Sequence, residues 1–103
     1  MPGKYGNKKT FYQGVQYDSR REANCAAQLD VLKRAGEITT IERQVTIELL
    51  PKPNRITYRA DFVVTKKDGS KKIVEAKGYW TAVAKLKMKL LKHFYPKYEV
   101  DIY

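Results

Sequence analysis

The sequence predicts an α/β domain in which one mixed β-sheet is flanked by helices, in the order αβββαβ. Three observations carry this prediction. Helical apolar spacing over residues 19–35 is bracketed by Ser19 and Gly36, β-rich runs follow at 43–50, 55–65 and 71–77, and a second helical pattern at 82–95 precedes the terminal run YEVDIY. At 103 residues the chain suffices for one domain.

Residues 1–10 are polar, basic and glycine-containing and read as a flexible basic arm, leaving 11–103 as the single folded domain. FYQGVQY, residues 11–17, suggests a short hairpin or an extended entry segment around Gly14. Ser19 and Glu22 have the spacing of a capping box, and Cys25, Leu29 and Leu32 give the first helix its expected buried stripe. Glu22, three residues before Cys25, falls at the edge of that inward face. In RQVTIELL, residues 43–50, Val45, Ile47 and Leu49 lie on one side of a strand, and Pro51-Lys52-Pro53-Asn54 marks the turn that follows. The second helix starts after Thr81, stops before Pro96 and is expected to bury Val83, Leu86, Leu90 and Phe94.

Composition narrows the partners. Twenty-one Lys and Arg against eleven Asp and Glu leave a formal charge of +10, which points to a polyanion. One cysteine, Cys25, and one histidine, His93, exclude an internal disulfide and a Cys/His metal cluster. No apolar run approaches the roughly 18 residues of a membrane span, and the N-terminus lacks a signal-peptide pattern. We therefore expect a cytoplasmic protein with no membrane partner.

Asp61 interrupts an apolar strand, and Glu75 and Lys77 stand at the end of the next, on one face about 6.6 Å apart. Whether Asp61 joins them depends on the Lys67-Asp68-Gly69 turn. A two-residue loop places Asp61 opposite Ala76 and sets Phe62 against Glu75. A three-residue loop with Gly69 left-handed places Asp61 opposite Glu75, Phe62 opposite Val74 and Val63 opposite Ile73. The second register pairs apolar with apolar and is the one expected. Two carboxylates so close repel unless a cation lies between them, and an all-oxygen site suits Mg²⁺ or Mn²⁺. With Lys77 beside it, such a site suits metal-assisted hydrolysis of a phosphodiester. The bland reading is a cross-strand ion pair on a hairpin.

A helix, then Asp61, then Glu75-Ala76-Lys77, in this element order, resembles the PD-(D/E)XK nuclease superfamily with its restriction-endonuclease-like core. The resemblance covers about residues 17–103. YDSRREANCAAQLDVLKRAGEI, ERQVTIEL, YRADFVV and IVEAKGYW are closer still to small phage-encoded endonucleases, and are similar to Holliday junction resolvases and to the nuclease domain of Tn7-like transposases. It implies Asp61 and Glu75 as metal ligands, Lys77 as the motif lysine, and Glu22 as the acid completing a Mg²⁺ site in which Mn²⁺ substitutes. The residues themselves leave Glu22 open between catalytic and capping roles. Ala60 stands where the motif has proline, a residue that shapes the strand and contributes no ligand. Gln44 is a further candidate, at a position where related small nucleases often carry a polar residue.

Lys85, Lys89 and Lys92 fall at i, i+4 and i+7 beside the apolar stripe of the second helix, suited to track a phosphate backbone. Arg59 shares a strand face with Asp61. Lys8, Lys9, Arg20 and Arg21 lie among Tyr5, Phe11, Tyr12 and Tyr17, mixing charge with rings able to stack on bases. Tyr79 and Trp80 divide between substrate contact and capping a core edge. The expected function is a Mg²⁺-dependent endonuclease hydrolysing DNA, on branched or Holliday junction DNA in phage recombination or genome processing. It would act as a homodimer in the host cytoplasm. The alternative is a non-catalytic basic DNA-binding module of a larger nucleoprotein assembly.

Overall fold

The computed structural model describes residues 9–103. A small hairpin, β1 (Thr10–Tyr12) and β2 (Val15–Tyr17), turns on Gln13 and Gly14, both with positive φ, at 51° and 77°. Two left-handed residues in succession match the twist of the strands they join. The hairpin expected at 11–17 is therefore present, packed on α1 (Arg20–Arg34).

Helix α1 begins where Ser19 Oγ accepts the Glu22 N–H at 3.1 Å. It ends on Gly36 in the left-handed region, with Gly36 N–H bonded to Lys33 O and Glu37 N–H to Leu32 O, which satisfies carbonyls a helix end leaves open. Its buried face is Glu22, Ala23, Cys25, Ala26 and Leu29. Leu32, expected in that stripe, is exposed instead. The small Ala23 and Ala26 bring the first half of the helix close to the sheet.

The sheet runs β3 (Ile38–Leu50), β4 (Ile56–Lys66), β5 (Lys71–Glu75), β6 (Glu99–Ile102), antiparallel except for the parallel β5–β6 pair. Strand β3 starts five residues before the alternating run, because Ile38 and Ile41 extend the pairing with β4. The β4–β5 turn has the three-residue form. Lys66 and Ser70 close it, Gly69 takes φ 89°, and the pairs are Phe62 with Val74 and Val63 with Ile73.

Helix α2 (Ala82–Phe94), capped by Thr81 Oγ1 on the Ala84 N–H, follows β5 and leads into β6. Its buried residues are Met88 and Leu91. The stripe expected there is turned outward: Val83 and Leu86 are 62% and 58% exposed and Phe94 is exposed, while Leu90 is half-buried. On a helical wheel Ala84, Met88, Leu91 and Tyr95 form the inward face, a quarter turn or more from the larger apolar residues.

Two cores result. Residues of α1 pack with Phe62, Val64, Val74 and Ala76 on one side of the sheet, and Met88 and Leu91 pack with Ile47, Leu49, Tyr58, Ala60, Val63 and Ile73 on the other. Ala60 and Phe62 share strand parity yet belong to different cores. The β3–β4 ribbon exchanges faces between them, next to Asp61.

Candidate active site

At the point where the ribbon turns over, a cleft of about 510 Å³ opens between the start of α1, the middle of β3 and β4, and the segment leaving β5. Asp18, Arg21, Glu22, Gln44, Arg59, Asp61, Lys77 and Tyr79 are among the residues that line it. Sequence motifs far apart in the chain, Glu22, Gln44, Arg59, Asp61 and Lys77, therefore meet in one place. Glu75 is completely buried and does not itself line the cleft.

Asp61 and Glu75 are locked by reciprocal backbone bonds. The Asp61 N–H donates to Glu75 Oε1 at 2.9 Å, and the Ala76 N–H donates to Asp61 Oδ2 at 2.9 Å. Each carboxylate thus holds one oxygen fixed. Glu75 Oε2 is buried with no hydrogen-bond partner. Lys77 Nζ stands 3.9 Å from it, near enough to attract its charge and too far to hydrogen-bond. The Tyr58 hydroxyl also acts on Glu75 electrostatically, but its geometry falls short of a hydrogen bond and leaves it unpartnered too. Burial, and then the Asp61 charge, push the Glu75 carboxyl up to about 7 from its usual 4.5.

Glu22 is 6% exposed, a rare position for an acid without a partner. Its Oε1 accepts the Asp18 N–H at 3.3 Å, with Arg43 4.0 Å away, and its Oε2 accepts from Gln44 Nε2 at 3.1 Å. The capping box is altered: Ser19 caps the helix, while the Glu22 carboxylate reaches past Ser19 to the Asp18 N–H with one oxygen and meets Gln44 with the other. Burial raises its pKa, and so does the Asp61 charge.

Among the described residues, no group of three His, Cys, Asp or Glu side chains is gathered closely enough to hold a metal ion. The expected three-carboxylate set of Glu22, Asp61 and Glu75 is therefore not a preformed cage. The donors nonetheless suit Mg²⁺, which keeps several waters and takes one or two carboxylates. Glu75 Oε2 is the observation that fits: a buried carboxylate oxygen without a partner beside a second carboxylate.

Arg21 Nη1 donates to Tyr103 O at 3.0 Å, and a Cβ at position 78 would meet Arg21 Nε at 3.2 Å. Gly78 thus gives the guanidinium its seat beside Lys77. Arg20 and Lys9 lie outside the cleft, Lys85, Lys89 and Lys92 are exposed on α2, and Lys8 lies outside the described residues. Tyr79 lines the cleft, whereas Trp80 packs against the α2-side core with Lys77 Nζ 5.9 Å from its ring centroid. Sequence reasoning missed Tyr58 beside Glu75, and Arg43, which reaches toward Glu22 and lies over the Tyr17 ring at 4.4 Å. Their contacts cross between elements, so no local spacing announces them.

A mixed four-stranded sheet between two helices, with acids and bases converging on one cleft, defines a small α/β domain. The chain belongs to DUF1064, a family described as protein of unknown function, whose model matches residues 2–102. No curated protein and no solved structure matches it. No helix among the described residues is long and apolar enough to cross a membrane.

Proposed function

We propose that this chain is a Mg²⁺-dependent deoxyribonuclease of the PD-(D/E)XK type, built on a restriction-endonuclease-like core and cutting DNA phosphodiester bonds internally. The observation that carries the reading is the Asp61–Glu75 pair, two carboxylates tied to each other's backbone with one buried oxygen unpartnered and Lys77 at its side.

Asp61 and Glu75 would hold the ion, with Glu22 as the third acid, and Mn²⁺ would substitute for Mg²⁺. A bound divalent cation supplies Lewis acidity and a more acidic water for attack at phosphorus. In this chain Lys77 orients that water or steadies negative charge developing on the phosphoryl group, and Arg21 and Arg59 grip neighbouring phosphates. Lys85, Lys89 and Lys92 extend the phosphate-binding surface along α2. The domain has little room for reading a long sequence, which favours substrates recognised by shape, such as branched or junction DNA in phage recombination or genome processing. Homodimer formation and action in the host cytoplasm belong to the same proposal.

The experiment is nicking of supercoiled plasmid by the purified chain in Mg²⁺, Mn²⁺ and EDTA. Cleavage with either metal and none in EDTA supports the reading. The lack of a preformed three-acid cage favours one other reading, a non-catalytic DNA-binding module of a larger assembly, which binds plasmid equally in all three conditions and leaves it intact.

A further inference from the structure

Gln44 has φ 53°, in the left-handed region, in the middle of a β-strand. A side chain longer than asparagine seldom adopts this conformation, and such outliers persist only where surrounding structure enforces them. The β3–β4 ladder pairs Arg43 with Phe62 and Val45 with Ala60 and skips the Gln44–Asp61 step between them. The distortion sends the Gln44 side chain into the cleft, where Nε2 donates to Glu22 Oε2 at 3.1 Å.

We infer that Gln44 is a positioning residue: its left-handed backbone aims the amide at Glu22 and fixes that carboxylate toward Asp61. The inference deepens the proposed nuclease reading and rests on it for the step that is served. A competing account lies in the fold itself. The ribbon exchanges its two faces at this same step, with Ile41 packed against the α1-side core, Ile47 in the α2-side core and Val45 packed against it, so the outlier would serve the twist alone.

The two accounts differ in what Glu22 does to a mutation at 44. Under the positioning account, Gln44→Gly in the native background relieves the backbone but strips a buried carboxylate oxygen of its donor, and the melting temperature falls. In a Glu22→Met background, which keeps side-chain length without an acceptor, Gln44→Gly has nothing to strip, and the melting temperature holds or rises. Equal shifts in both backgrounds overturn the contact. Should Glu22→Met not fold, Glu22→Ala serves as the second background with the same expectations.

The functional half is read from plasmid cleavage. Gln44→Gly and Gln44→Ala are expected to lower kcat at least tenfold while the KM for DNA stays within twofold, because the amide touches Glu22 and not the substrate. Gln44→Asn, which tolerates the backbone but is one methylene too short, is expected to fail similarly. An unchanged kcat beside coupled melting shifts overturns the positioning role. If the native chain leaves DNA intact in Mg²⁺ and Mn²⁺, the nuclease reading falls, and the melting cycle still decides whether Gln44 holds Glu22.

Discussion

Asp61 and Glu75 hold each other through backbone N–H groups, and the Lys77 ammonium stands beside Glu75. Asp61→Asn, Glu75→Gln and Lys77→Ala are each expected to lower cleavage by about 100-fold or more, with DNA affinity within a few-fold, since the phosphate grip is proposed to rest mainly on Arg21, Arg59 and the α2 lysines. Gel shifts beside plasmid nicking check this, and near-native cleavage by any two of the three removes the site. Ser19→Ala is expected to cost about 1 kcal/mol of stability by chemical denaturation, because Ser19 and not the Glu22 carboxylate caps α1. The Glu75 shift has a definite sign. Its carboxyl is raised from 4.5 to about 7, so the folded chain holds a proton that the unfolded chain releases between those values. Its contribution to stability is complete below about pH 4.5 and is lost as pH rises to 7 and above, and Glu22 acts in the same direction. Melting in EDTA should therefore fall from pH 5 to pH 8. Glu75→Gln should flatten much of that fall, and Mg²⁺ should restore the native chain at pH 8. A fall of equal size in Glu75→Gln counts against this account. The register of Asp61 with Glu75 was legible because Phe62, Val63, Ile73 and Val74 pair well in one alignment only. The roles of Tyr58, Arg43 and Gly78 were not, because each depends on a group brought in by another element.

Helix α2 turns to the sheet a different face from the one its apolar spacing predicts. Its apolar residues lie in two neighbouring stripes, and periodicity favoured that of Val83, Leu86, Leu90 and Phe94, of which Leu90 packs partly against the core. The sheet took the stripe of Ala84, Met88 and Leu91, whose smaller N-terminal residue allows closer approach at that end. Boundaries were more legible than faces: Thr81, Pro96 and Gly36 punctuate the chain through caps and turns that are local in sequence. The β3–β4 ribbon carries a related lesson, since alternation assigns one face per strand and this ribbon exchanges faces at Gln44 and Asp61. Lys85, Lys89 and Lys92 are exposed, and their replacement by glutamine is expected to weaken duplex binding and flatten the log–log salt dependence by about 0.9 for each phosphate left unneutralised. Fluorescence anisotropy across a salt series measures the slope. An unchanged slope makes this a solvated face with no part in DNA binding.

For the molecule as a whole, each chain carries one Asp61–Glu75–Lys77 set, while resolving a four-way junction takes two opposed cuts. Two chains about a two-fold axis match a two-fold substrate. The aromatic N-terminal segment is largely used within the chain: Tyr12 and Val15 pack against the α1-side core, and Tyr17 is buried in it. Phe11 and the Val83–Leu86 surface of α2 are exposed, and among the described residues no strand pairs with the outer edge of β6. An unpaired edge strand is a ready template for pairing with another copy, and a domain this small has stability to gain from added burial. The formal charge of +10 opposes self-association in dilute salt, so assembly is expected to strengthen as salt screens it or as DNA neutralises it. Light scattering across a salt series should therefore show mass rising toward twice the 12.0 kDa chain. Cleavage of a fixed four-way junction beside a linear duplex of the same arms should favour the junction, with paired symmetric cuts. A chain that stays monomeric with and without DNA and cuts both substrates equally would lose the resolvase assignment, while its metal-dependent cleavage would still mark it as a nuclease of broader use.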